Sequence, residues 1–195
     1  MTDSPIKTIG VITDTHVPDR FNQISPDILS SLEKAKVDVI LHAGDISSPA
    51  VIEILQGYAP VYAVQGNRDW AYLKSLPPER EINLAGVTIG LTHGHGGWRH
   101  YIEEKWKYIR SGYNFEHVRH YLVKQFPLAK VIVFGHTHRP ENIWLNGQLF
   151  FNPGAAYPCK ETNYRAQLGL LRIFPDSRVE GEIISIFTVS PPRSR

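Results

Sequence analysis

Residues 37–45 read VDVILHAGD, and the way this stretch ends decides the fold. Val37, Val39 and Ile40 are β-branched and Leu41 extends the apolar run, the pattern of a strand buried by layers on both faces. Ala43-Gly44-Asp45 closes it: Gly44 permits a sharp turn, and Asp45 is left at the carboxyl end of the strand, where open α/β sheets place their chemistry. One aspartate in that position is more often a turn or cap residue. Its weight comes from four other stretches that end in the same way.

Upstream, Lys7–Ile12 reads as a strand running into Thr13-Asp14-Thr15-His16. Asp14 and His16, two apart in an extended segment, are expected to point the same way; a turn with a solvated histidine is the alternative. Ser25-Pro26 opens a helix, with Ser25 as N-cap and Ile28, Leu29, Leu32 and Ala35 as its apolar face. With the 37–43 strand this makes a strand-helix-strand unit and a right-handed parallel crossover. Downstream, Ser48-Pro49 repeats the helix start, Val51, Ile52 and Leu55 form the buried stripe, and Gly57 ends it. Val61–Val64 is the third strand, delivering Gly66-Asn67-Arg68-Asp69.

After Pro77-Pro78 the pattern changes. Glu81–Leu84, the Ala85-Gly86 turn and Val87–Leu91 read as a hairpin leading into Thr92-His93-Gly94-His95. Two helical stretches follow, Trp98–Arg110 and Asn114–Phe126, then the buried strand Lys130–Phe134 ending in Gly135-His136-Thr137-His138. A hairpin over Ile143–Phe151 turns at Asn146-Gly147 as type I′ and runs into Asn152-Pro153-Gly154. Leu168–Phe174 and Val179–Val189 are the last strands, the second alternating and half-exposed. One domain over 1–189 is expected, with 98–126 as a helical elaboration and 190–195 as a flexible tail. Two sheets face to face with helices outside both satisfy this order.

At 195 residues, 42% hydrophobic and 21% charged, the chain suits one well-cored globular domain. A net charge of +2 is too small to argue for nucleic acid. The single cysteine, Cys159, excludes an internal disulfide framework, and no apolar run approaches the ~18 residues of a membrane span. The opening MTDSPIKT does not read as a signal peptide. A cytoplasmic protein is expected.

The five strand ends carry Asp14 and His16, Asp45, Asn67, His93, and His136 and His138. All are oxygen or imidazole donors, which suits Mn²⁺, Fe²⁺, Zn²⁺ or Ni²⁺ and disfavours Cu(I) and iron–sulfur clusters. Seven donors are too many for one ion with open positions and suit two, with one carboxylate bridging. Such pairs lie ~3.5–4 Å apart, clamp both oxygens of an in-line displacement at phosphorus, and lower the pKa of a water that becomes the nucleophile.

At these residues the chain resembles the calcineurin-like metallophosphoesterases. The matching pieces are Asp14-Thr15-His16, Gly44-Asp45, Gly66-Asn67-Arg68-Asp69, Thr92-His93-Gly94 and Gly135-His136-Thr137-His138. Within that family it is similar to the small YfcE-like phosphodiesterase branch, to which the retromer subunit Vps29 is also related; Asn152-Pro153-Gly154 fits as well. The resemblance implies a four-layer α/β/β/α sandwich with two mixed sheets. It further implies that Asp14, His16 and His138 hold one ion, Asn67, His93 and His136 the other, and that Asp45 bridges. Mn²⁺ is the expected metal, with Ni²⁺, Fe²⁺, Zn²⁺ and Mg²⁺ as alternatives. Gly135 and Thr137 are packing or turn residues, Thr137 with room to orient a ligating histidine.

One departure bears on mechanism. Many members have a histidine after the Gly-Asn that serves as general acid; here Arg68 stands there. Arg68 can stabilise phosphate charge or simply pair with Asp69. His95 is free to contact phosphate, to act as the acid, or to be a solvated loop residue. Cys159 reads as a structural thiol in a polar loop. The expected activity is phosphodiester hydrolysis of a small-molecule substrate, with Asn67, Arg68 and His95 at the phosphate. A non-catalytic Vps29-type scaffold and a nuclease are the alternatives. The 98–126 segment, with Arg99 and His100 facing the metals, is expected to form one wall of the cleft; its rival role is a subunit interface in a homo-oligomer.

Overall fold

The structure is a computed structural model that describes residues 4–96, 110 and 112–186. Its described elements run β1 (Lys7–Ile12), α1 (Pro26–Lys34), β2 (Val39–His42), α2 (Pro49–Gln56), β3 (Val61–Ala63), β4 (Glu79–Leu84), β5 (Val87–Thr92), α3 (Phe115–Gln125), β6 (Val131–Val133), β7 (Glu141–Leu145), β8 (Gln148–Asn152), β9 (Ala166–Ile173) and β10 (Val179–Ile186). Among the described residues the strands form two mixed sheets, ordered β10-β9-β1-β2-β3 and β4-β5-β6-β8-β7.

Alternation along the strands sorts the apolar residues into three cores. Ile9, Val11, Val39 and Leu41 of the first sheet meet Ile89, Leu91, Val131, Val133, Leu149 and Phe151 of the second, all buried between the sheets. The next residue along each strand points the other way. Ile12 and Ile40 pack with Ile28 and Leu32 of α1 and Val51 and Leu55 of α2. Ile132 and Phe150 pack with Leu122 of α3 and with Phe126. The result is the expected four-layer order of helices, sheet, sheet and helix.

Register is what positions the site. β1, β2 and β3 are parallel, and Ile12 lies opposite His42, itself opposite Ala63, so their carboxyl ends finish level. β5, β6 and β8 are parallel too, with Leu91 opposite Val133 and Val133 opposite Phe151. The two rows of strand ends adjoin, as the contact between His93 Nδ1 and the Ala43 carbonyl at 2.7 Å shows.

Several local expectations are corrected. Ser25 precedes α1 but makes no side-chain cap, whereas Ser48 accepts the Ala50 N–H. Gly57 ends α2 with φ −65°, an ordinary right-handed residue. Asp14 and His16 are not extended: their φ angles are 53° and 49°. Asn114 caps α3 by accepting the Glu116 N–H at 2.9 Å, and Val118 and Leu122 of that helix pack on the sheet. All but Arg110 of the helix expected over Trp98–Arg110, Arg99 and His100 included, lies outside the described residues, as do 187–195.

Candidate metal centre

The polar residues at the strand ends converge on one spot. Asp14, His16, Asp45 and His93 are almost wholly buried, at 0%, 1%, 3% and 0% exposure, while Asn67, His136 and His138 are half-buried at its edge. His16 Nε2 lies 3.8 Å from Asp14 Oδ1 and 3.6 Å from Asp45 Oδ2. His138 Nε2 lies 3.2 Å from Asp14 Oδ1, completing one lobe. On the other side His93 Nε2 is 3.5 Å from Asp45 Oδ1, and Asn67 Oδ1 is 3.1 Å from both His93 Nε2 and His136 Nδ1. Asp45 therefore turns one oxygen to each lobe.

This arrangement fits divalent cations. Both ring nitrogens of His16 are buried with no hydrogen-bond partner, although buried polar atoms are normally bonded. Asp14, His16 and His138 each place a donor atom within 4.8 Å of the others, and so do Asp14, Asp45 and His93. Oxygen and imidazole donors at such spacing are what a borderline-hard ion requires.

Electrostatics follow from burial and crowding. Burial alone would raise the Asp14 pKa, but the His138 hydrogen bond and the charges of His93, His138 and His16 outweigh it and hold the carboxyl well below the usual range. Asp45 is pushed up to about 6, chiefly by burial. Burial takes His16 down to about 4 and His136 down to about 3, keeping both imidazoles in the neutral form that ligates. His138 goes up to about 10: burial opposes its charge, and Asp14 and Cys159 overcome it. In the metal-free protein a proton on His138 thus stands opposite Asp14, where a cation would go.

The donors are aimed by neighbours. Thr13 Oγ1 donates to Asp14 Oδ2 at 2.7 Å and the His136 N–H at 3.2 Å, leaving Oδ1 for the site. The 2.7 Å contact with the Ala43 carbonyl calls for a proton on His93 Nδ1 and turns Nε2 inward. The Tyr157 hydroxyl lies 3.2 Å from His138 Nδ1, where it can accept from that nitrogen and leave Nε2 for the site. A side chain on Gly135 would collide with Thr13 Oγ1, and one on Gly66 with the Asp45 backbone and carboxylate, so the loops meet only because both are glycine.

The outcome for the remaining candidates is mixed. Arg68 is exposed, and its backbone N–H donates to Asp45 Oδ1 at 2.9 Å. Its expected alternative, a surface pair with Asp69, is ruled out: Asp69 is fully buried, and its carboxylate accepts the N–H groups of Ile46, Ser47 and Gly66 at 2.9, 2.8 and 2.8 Å. The ring of His95 sits 5.5 Å from that of His93 and 6.3 Å from that of His136. Thr137 Oγ1 accepts from Arg139 N–H and Asn152 Nδ2, so it fixes the loop rather than a histidine ring. Cys159 is not remote from the motifs: it belongs with His138 and Glu161 to a further group of mutually close donors.

Three residues outside the expected site support it: Asp69 as a clamp, Tyr157, and His42, a buried histidine whose Nδ1 accepts the Gly44 N–H at 3.2 Å. The Asp69–Gly66 bond has a sequence signal, an aspartate three residues after a turn glycine.

Comparison with known proteins gives the family and the fold. The profile of the calcineurin-like phosphoesterase superfamily domain matches residues 8–172. A probable metallophosphoesterase of Methanothermobacter thermautotrophicus is 35% identical over 147 residues, covering 75% of this chain and 76% of the relative. The vacuolar protein sorting-associated protein 29 of Schizosaccharomyces pombe is 27% identical over 147 residues, 75% of this chain and 70% of its own. Among solved structures, Vps29 of Entamoeba histolytica in complex with zinc superposes with a TM-score of 0.64 at 23% identity, covering 91% of this chain and 98% of that one; this likeness is one of fold.

Proposed function

The chain belongs to the calcineurin-like phosphoesterase superfamily, and from that premise we propose that it is a metal-dependent phosphodiesterase with a dinuclear centre. The observation that carries this reading is Asp45, whose two carboxylate oxygens face His16 on one side and His93 on the other. Asp14, His16 and His138 would hold one ion and Asn67, His93 and His136 the second, with Asp45 available to both.

Two divalent cations bound there, Mn²⁺ being the expected metal, would lower the pKa of a water and offset charge on the phosphate. The chain's own residues do the rest. The Asp14 carboxylate and the neutral imidazoles of His16 and His136 present lone pairs, and His138 would exchange the proton it holds opposite Asp14 for the cation. Arg68, beside Asn67 at the exposed rim, carries a fixed positive charge that stabilises phosphate oxygens. It does not give up a proton at neutral pH, so departure relies on the acidity of the leaving group or on His95 as proton donor. Phosphodiesters with acidic leaving groups are the substrates this suits.

A non-catalytic scaffold is the competing reading, and the sorting protein among the relatives gives it a footing. Completeness of the donor set speaks for hydrolysis, since a scaffold has no need of all seven. The test is a metal titration of purified, metal-stripped protein against aryl diesters, aryl monoesters, cyclic nucleotides and oligonucleotides. Mn²⁺-dependent turnover favouring aryl diesters is expected, and Asp45→Asn should abolish it. Near-parental activity of that variant under saturating Mn²⁺ would refute the dinuclear reading.

A further inference from the structure

His138 stands between two donor sets. The first is the oxygen and imidazole group it forms with Asp14 and His16. The second lies on the loop between β8 and β9, where Cys159 and Glu161 flank Lys160 at a short 3₁₀ turn (Lys160–Thr162). One atom from each of His138, Cys159 and Glu161 lies within 4.8 Å of the other two, and all three residues are half-buried, open to an ion from solvent. The loop is held in this form. Thr162 Oγ1 accepts the Cys159 N–H at 3.3 Å, donates to the Cys159 carbonyl at 3.1 Å and lies 3.4 Å from its Sγ. The same carbonyl accepts the Tyr164 N–H at 2.7 Å.

The two sets differ in softness. A thiolate with imidazole and carboxylate is a zinc-type ligand set with a fourth position for water, whereas Mn²⁺ prefers oxygen. A neutral imidazole offers one lone pair, its other nitrogen being protonated, so His138 serves one ion at a time. We propose that His138, Cys159 and Glu161 form a zinc-selective inhibitory site, at which Zn²⁺ takes His138 from the ion it shares with Asp14 and His16. Binding converts the Cys159 thiol to a thiolate bonded to Zn²⁺ and releases its proton to solvent, with no change of oxidation state. The inhibitory consequence rests on the function proposed above; the site itself does not.

Cys159 is the chain's one cysteine, so a thiol reagent reports on it alone. With the full chain held in saturating Mn²⁺, Zn²⁺ should slow labelling of Cys159 at least about tenfold, the scale on which even residues that merely support ligands alter metal affinity. Further Mn²⁺ should leave the rate unchanged. Co²⁺ added to metal-stripped protein should give a thiolate-to-metal charge-transfer absorption that Cys159→Ser lacks. Zinc should inhibit Mn²⁺-supported hydrolysis. Cys159→Ser and Glu161→Gln should each raise the half-inhibitory zinc concentration at least about tenfold without changing turnover in Mn²⁺ alone. Labelling indifferent to zinc, or the same zinc inhibition in the parent and both variants, overturns the proposal. If no Mn²⁺-dependent turnover exists, the hydrolase reading fails by itself, and labelling and cobalt absorption still decide the site.

Discussion

Replacing Asp69 tests whether the loops bearing the donors are held by this one buried carboxylate. Its Oδ1 accepts the N–H groups of Ile46 and Ser47 and its Oδ2 that of Gly66, so one side chain ties the turn after Asp45 to the turn before Asn67. In Asp69→Asn the retained oxygen can keep two of the bonds, but the amide presents a donor to the Gly66 N–H. Loss of one charge-assisted bond plus that mismatch amounts to about 2–3 kcal/mol. Asp69→Ala strands three buried N–H groups at about 1–3 kcal/mol each, or roughly 3–6 kcal/mol after water enters the space. At roughly 2–4 °C per kcal/mol for a chain of this size, the expected Tm losses are about 4–12 °C for Asn and more for Ala. Denaturant unfolding of the metal-free protein measures the free energy, and a Mn²⁺ titration of the same variants measures the centre. Both should weaken together, because Asp45 and Asn67 sit on the two loops that come apart. A loss under about 0.5 kcal/mol for Asp69→Ala, the range of ordinary surface substitutions, would refute this reasoning.

Three further outcomes are expected. Arg68→His should raise kcat/KM most for diesters with poor leaving groups; an equal gain across leaving groups would show that no proton donor was missing. Tyr157→Phe should weaken metal binding about 10–100-fold by freeing the His138 ring, with little change in unfolding free energy, as titration calorimetry and denaturation together would show. Metal-free protein should lose stability as pH falls below about 6.5. The unfolded chain protonates His42 near 6.5, whereas burial keeps it neutral in the fold until about 3. His16 and His136 act in the same direction, and His42→Asn should flatten the profile by roughly 1 kcal/mol per pH unit between pH 6.5 and 4.

Four of the five strand ends were legible because each joins an apolar run to a polar residue beside a glycine, and that contrast survives without coordinates. Asp45, His93 and His136 were found this way. The residues that hold them in place were not. From the sequence, Asp69 has only Arg68 as a visible alternative partner, because the Ile46 and Ser47 N–H groups it accepts lie on a distant turn and carry no sequence signature. His42 lies inside the same apolar run that identified β2, and nothing in the pattern distinguishes a buried histidine from a turn residue. Cys159 comes 21 positions after His138, beyond the β7–β8 hairpin, and their juxtaposition depends on how the following loop folds back.

Backbone conformation was the least legible feature, and it links stability to the site. Asp14, His16, Asp45, His136 and His138 have φ angles of 53°, 49°, 53°, 67° and 55°. A non-glycine residue in that region costs on the order of 1–3 kcal/mol and persists only where its surroundings over-determine it. Aspartate and histidine tolerate it better than most residues, so the types that supply the donor atoms are also types that can make these turns. The turns are tight, and they let five donor side chains from level strand ends reach a common point. What keeps them so is the set of side-chain hydrogen bonds to backbone groups around them: Asp69 on three N–H groups, His42 on Gly44, and Asn152 Nδ2 on the Gly135 carbonyl at 3.1 Å. A donor and its support therefore form one mechanical unit. Removing a support relaxes the backbone before it removes any ligand, so a variant can keep all seven donors and still lose the centre.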